Sequence, residues 1–408
     1  MGAIAQGGQT SGMAGEVLKL AFFKEGYLMK HLLKNSQGMA LVIVVFIVSI
    51  LLTITGASLL MSQQDLKIAS NYKTGSSAFY VADAGIESAK AEVGGKSFDS
   101  VLAGADGSKS NTSDNGILSF GASVSFNGGT YEVTVTDNDD GDGDSWHDTD
   151  GKVYITSTGR FGGSTRVVKV LVSKANMNFN AAITVIDEKC ETHQGGSATV
   201  TGLDYTYNPS QQNNPIRASG PDVHAIARSC TTIEDDIKKP NQITGVGASP
   251  DITSDIGSLT LASVQSIRDD LISRADIVYH GSTTLNGGTL GTRDDPKITY
   301  VDDTLVLEGN VAGVGFLIVD KDFEVKGNFT YEGIILVGIC NTCPGRMKGT
   351  GNAKMYGATV LANPTSSHDE EARIENMTGN SSISYSTYGI DLALKRTFKT
   401  IGWQELMN

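Results

Sequence analysis

From Met39 to Met61 the chain reads MALVIVVFIVSILLTITGASLLM, without one charged side chain. An apolar run of about 20 residues is what a helix needs to cross a bilayer. The hydroxyls that interrupt it, at Ser49, Thr53, Thr55 and Ser58, are of the small kind that membranes tolerate. Lys30, His31 and Lys34 lie just before the run, whereas Asp65 and Lys67 cancel after it. The positive-inside bias therefore predicts a cytoplasmic N-terminus and a C-terminal bulk on the far side of the membrane. A cleaved secretory signal would have a shorter apolar region.

The period then changes twice. Phe79, Ala82, Ile86, Ala89 and Val93 recur at spacings of three and four, which continues the helix with one apolar face. Gly75, beside Ser76 and Ser77, is a point where that helix is expected to break or bend. Between Ser119 and Lys174 the period becomes two. SFGASVSF, TYEVTVTD, KVYITSTG and TRVVKVLVS read as four strands, with Asn127-Gly128-Gly129 as a hairpin turn. The apolar helix face is expected to pack on this antiparallel sheet.

Residues 176–290 read as a mixed insert. NFNAAITVI and SATVTGLDYTY look like strands, QQNNP like a loop, and SVQSIRDDLISRA (263–275) like a surface helix with Val264, Ile267 and Leu271 on one face. Beyond Lys297, short strands are separated by glycine-containing steps. LEGNVAGVGFLIV, VKGNFTYEGIILV and GTGNAKMYGATVL share a Gly-Asn followed by a hydrophobic strand. That recurrence suggests stacked coils, as in a short β-solenoid or a rolled sheet. The predicted fold class is α+β: a long N-terminal transmembrane helix packed on an antiparallel sheet, then a Gly-rich all-β region.

Composition narrows the function. The 408 residues include 48 glycines and carry a formal net charge of −13. Glycine spread through β-branched sequence without a collagen period fits many turns between short strands. The negative charge argues against nucleic acid, because phosphate binding needs a basic footprint.

Lys-Asn-Ser-Gln-Gly38, followed by Met39 and the apolar run, resembles a prepilin leader, which is cut after the glycine. Asn71-Tyr72, Ala78-Phe79-Tyr80 and Ala82-Asp83-Ala84-Gly85 resemble the N-terminal module of PilX-type minor pilins, over residues 34 to 95. More loosely, the chain is similar to K-type minor pseudopilins of type II secretion. Leaders of the family are short and basic, and MKHLLKNSQG from Met29 has that form, so the true start is expected at Met29. Together with the patterns above, the resemblance divides the chain into a leader at 1–38, a pilin helix at 39–95, a pilin-like sheet at 96–175, the insert at 176–290 and a β-repeat domain at 291–408. It implies cleavage between Gly38 and Met39 by a prepilin peptidase. It also implies a non-enzymatic type IV pilus subunit at the cell surface, with the other minor pilins and the major pilin as partners. The fifth mature residue is Ile43, where most pilins carry glutamate; PilX-type and K-type members often lack it. A surface adhesin carried on a pilin helix is the rival reading.

Candidate chemistry is sparse. DNDDGDGDSWHDTDG holds seven aspartates between 137 and 150. Oxygen ligands at alternate positions with glycine for tight turns are what calcium selects. Asn138, Asp140, Asp142, Asp144 and Asp148 are therefore the expected calcium ligands, and calcium the one expected cofactor. Asn-x-Asp-x-Asp-Gly matches the opening of an EF-type loop, but the register fails at Thr149. The four cysteines allow a Cys190–Cys230 and a Cys340–Cys343 disulfide, a zinc site of Cys190, His193, Cys340 and Cys343, or a Cys-x-x-Cys redox centre. Export of the domain favours disulfides. Asp302-Asp303 and Glu370-Glu371 are adjacent acids, which a strand would point to opposite faces, so no catalytic pair is expected.

Overall fold

The structure, a computed structural model, describes residues 39–104, 110, 112–141, 143–175, 177–210, 215–340, 345–363 and 372–406. The leader with Gly38 lies outside the described residues.

Helix α1 (Met39–Val93) is continuous. It does not break at Gly75, contrary to the expectation from sequence. A glycine inside a helix costs about 1 kcal/mol but keeps its N–H, so the hydrogen-bond ladder survives. Side chains from Ile43 to Met61 are exposed, and this is the described helix long and apolar enough to cross a membrane.

From Ala78 onward the helix is amphipathic in fact. Ala78, Val81, Ala82, Ile86, Ala89 and Val93 are buried against Tyr131, Val133, Ile155, Val168 and Val170 of an antiparallel sheet. Its hairpins run β1 (Val124–Phe126), β2 (Gly129–Asp137), β3 (Lys152–Phe161) and β4 (Ser164–Ser173). Asn127 (φ 47°) and Gly128 (φ 82°) make the two-residue turn with both φ positive that matches strand twist. The helix comes so close to β3 that a Cβ on Gly159 would collide with the Ala78 carbonyl and the Ala82 nitrogen. The fifth strand, Lys399–Leu406, comes from the C-terminus and pairs antiparallel with β4, Lys399 opposite Ser173. The tail of the segment 291–408 therefore belongs to the helix-bearing sheet and not to the repeat domain.

Everything between β4 and that last strand is inserted. The inserted strands form one parallel stack with a small antiparallel hairpin, Tyr205–Thr206 with Ile216–Arg217, at its side. Spatial order differs from chain order. Strand Ala181–Ile186 lies between Asn352–Ala362 and His224–Arg228, so the chain joins the stack in its middle. It builds outward to Ile252–Thr253, then returns through helix Leu261–Ile272 to the opposite end at Ile277–Tyr279. Thr260 and Ser263 cap that helix reciprocally, and Val264 and Leu271 are buried beneath it. The boundary expected at 290/291 is absent from this pairing, because strands on both sides of it share one stack and one core. That core is filled by Phe316, Phe323, Phe329, Tyr331 and the aliphatic residues around them.

The Gly-Asn steps fall in register. Asn310, Asn328 and Asn352 stack one above another, as do Gly315, Gly333 and Gly357 five positions on. Before each stacked glycine the strand alternates in and out. After it, Phe316 to Val319 and Ile334 to Val337 are buried without a break. The glycines let the strands bend, and helix Thr387–Leu394 covers the second face.

Candidate functional site

The expected membrane and assembly site is the start of α1. Met39 is its first residue, and Ile43 is 50% exposed, one turn in. Nothing charged lies between Met39 and Met61. Hydroxyls of Ser49, Thr53 and Thr55 donate to carbonyls of Phe46, Ile50 and Leu51. This is how such groups are satisfied where water is absent.

The acidic loop holds itself together. Asp140 accepts from the Thr149 amide at 3.0 Å and from its hydroxyl. Asp144 accepts from the Trp146 amide at 3.0 Å, and Asp148 from the Gly151 and Lys152 amides at 2.8 and 3.0 Å. Asn138 donates to Asp150, which also meets the Lys152 ammonium at 2.6 Å. Burial pushes the Asp148 carboxyl up, opposed by its two amide donors. Asp142 lies outside the described residues. Among the described residues no three His, Cys, Asp or Glu side chains converge on one metal position.

Cys190 and Cys230 are bonded, with Cα atoms 5.7 Å apart. Cys190 is buried whereas His193, three residues on, faces outward and pairs with Glu191 at 2.7 Å. Strand alternation thus separates the two residues a zinc site would need together. Cys340 is disulfide-bonded as well, while Cys343 lies outside the described residues.

Asp302 and Asp303 are both engaged in turns. Asp302 meets His280 Nδ1 at 2.7 Å and accepts from the Gly281 amide. Asp303 meets Lys321 at 2.8 Å and accepts from the Thr304 amide and Ser282 hydroxyl. These three partners, Lys321 first, hold the Asp303 carboxyl down to about 2. A depressed carboxyl stabilises the fold above its unfolded value near 3.8 and loses that contribution as pH falls toward 2. Asp303→Asn should therefore lower the melting temperature at pH 7, and by much less at pH 2, where the carboxyl is about half protonated. Equal melting-temperature differences at both pH values would contradict this.

One cleft, of about 1080 Å3, runs across the stacked face. Columns of outward residues form its floor: Asn310–Asn328–Asn352, Ala312–Thr330–Lys354 and, beside them, Val314–Glu332. Asn328 donates to Asn310 at 2.8 Å, and Asn352 to Asn328 at 2.9 Å. One wall is built on an ion pair. Glu332, with 6% of its side chain exposed, receives Arg293 through Nε at 2.9 Å and through its terminal nitrogen at 2.6 Å. Arg293 also donates to the Tyr207 carbonyl at 2.7 Å and lies over the Tyr207 and Tyr388 rings. Burial pushes the Tyr356 hydroxyl up to about 12, so it stays protonated at physiological pH. The Gly-Asn repeat was a sequence signal for the ladder; nothing local joined Tyr207, Arg293 and Glu332.

No family model matches this chain, and no curated protein does. Among solved structures it is similar to the crystal structure of the competence-associated pilin ComZ from Thermus thermophilus. The TM-score is 0.26 and the identity 13%, over 82% of this chain and 98% of that one. At that score the likeness does not establish a shared role.

Proposed function

We propose that this chain is a non-enzymatic minor pilin of a type IV pilus, of the PilX-like kind, that initiates the filament and stays at its tip. The observation that carries the reading is α1: one helix, apolar and exposed over its first half, seated by a buried face on an antiparallel sheet over its second. Such a helix can be stored in the inner membrane and then packed against other helices of its kind. Prepilin peptidase would cut between Gly38 and Met39, and the partners would be the other minor pilins and the major pilin. Ile43 favours the tip. Cleavage leaves a charged amine at Met39, and burying it unpaired costs several kcal/mol. A shaft subunit offers a glutamate to its neighbour's amine; a first subunit has no neighbour beyond it, and a carboxylate there would itself be unpaired. Protein recovered from cells should start at Met39, and a label on its outer domain should mark one end of sheared filaments. Label spread along the shaft, or none on filaments, overturns the tip reading.

The cleft supports a second reading, a binding module carried on a pilin helix. Excising residues 176–396 distinguishes the two and keeps the strand Lys399–Leu406 that completes the sheet. Loss of piliation favours assembly; normal piliation favours the binding module.

Calcium for the loop 137–150 is a further proposal, resting on the density of aspartates there. An ion would replace the amide and lysine partners of Asp140, Asp148 and Asp150. Binding only the folded form, it should stabilise by about 2.7 kcal/mol at a hundred times its dissociation constant. A melting temperature unmoved by calcium and by chelator would count against it.

A further inference from the structure

We propose that the cleft over the asparagine ladder binds a neutral, extended oligosaccharide. The argument starts with unused hydrogen-bonding capacity. Three carboxamides carry six N–H groups, and the ladder uses two of them. Asn310, Asn328 and Asn352 are all exposed, so the remaining donors and carbonyl lone pairs line a solvent-filled groove.

The chemistry of the groove selects the ligand. Carboxamides and the Thr330 hydroxyl both donate and accept, as sugar hydroxyls do. Charge adds little, because Arg293 is committed to Glu332 within the wall and Lys354 is the one other basic residue among the described lining. A polyanion would approach a chain of net charge −13 and meet no basic stripe. A lipid or apolar peptide would leave the amides unsatisfied. Tyr207, half-exposed at the rim and braced against Tyr356 at 5.3 Å between ring centres, offers an aromatic surface for the apolar face of a pyranose. The ladder repeats once per rung, about every 4.8 Å, so it offers the same amide again to each successive unit of a chain molecule. A repeating polyol exploits that periodicity; a compact metabolite does not. Glycine at 288 and 291 lets the ligand reach the backbone at the end of the cleft.

The test uses the full chain in lipid nanodiscs, free of glycosidic detergent. Titration calorimetry is run with chitotetraose, cellotetraose, mannotetraose and maltotetraose, and with tetragalacturonate as the anionic control. Saturable binding of at least one neutral tetrasaccharide is expected. Asn328→Ala and Tyr207→Ala should each weaken it about tenfold, the scale of one lost hydrogen bond or stacking contact. Tyr207→Phe should stay within about twofold, since it keeps the ring. If Asn328→Ala lowers the melting temperature, Tyr207→Ala, on a half-exposed loop residue, carries the decision. No neutral tetrasaccharide bound, binding of the anionic one alone, or neutral binding untouched by either alanine overturns the proposal. The measurement does not depend on a filament, so its failure leaves the pilus reading standing.

Discussion

Gly333→Ala should destabilise the inserted parallel stack by more than about 4 kcal/mol, beyond the range of ordinary point substitutions. Gly333 has φ 145°, between Gly315 at 122° and Gly357 at 149° in the adjacent rungs. An alanine there suffers backbone strain of about 1–3 kcal/mol. It also drives its Cβ into the Gly315 carbonyl oxygen, which belongs to the neighbouring rung and cannot turn aside. Gly281→Ala separates the two effects: φ is 73°, but a Cβ would meet open space. That variant should lose about 1–2 kcal/mol, the cost of left-handed backbone alone. Urea unfolding of both variants checks the difference, and equal losses would sink the crowding argument.

Arg293→Met should cost about 3 kcal/mol, because it strands the buried Glu332 carboxylate beside Tyr207 and Tyr356 without its partner. Partial exposure of Arg293 sets the figure at the low end of the range for buried pairs. The double variant Arg293→Met, Glu332→Leu should recover most of the loss, since replacing both charges removes the desolvation penalty. The pH response of the single variant has a definite sign. An unpaired buried carboxyl has a folded pKa above its unfolded one, so the penalty applies at neutral pH and fades as the medium is acidified. Chemical denaturation at pH 7 and pH 4.5 should show the single variant closer to wild type at the lower value. A constant gap, or a double variant no better than the single, would contradict the account.

The parts of this fold legible in the sequence were those with one buried face. The span, the helix face from Phe79 to Val93 and strands β2 to β4 announce themselves through period, and Asn127-Gly128 through its turn chemistry. Within 181–253 NFNAAITVI and SATVTGLDYTY read as strands, but which face they bury did not, because Ala181 to Ile186 is buried on both faces, which erases alternation. The stack is also joined out of order, so self-similarity along the chain stops short of the rungs that complete it. KTIGWQEL gave little signal because it is a mostly exposed edge strand, with Trp403 52% exposed against Phe79. Gly-Asn was readable as a repeat, but its amides became a ladder only through register. Arg293 and Glu332 met through a loop that no local pattern ties to either.

The last strand sets the order in which the molecule can be finished. A chain made from its N-terminal end completes α1 and β1 to β4 early, but β4 keeps an open edge until Lys399 to Leu406 arrive. All of the parallel stack must be made first, and pairing across so long a loop is slow. A product that stalls or is clipped anywhere in the insert keeps an unpaired, template-ready edge beside α1. Completion of the small sheet thus doubles as a record that the whole insert has been made.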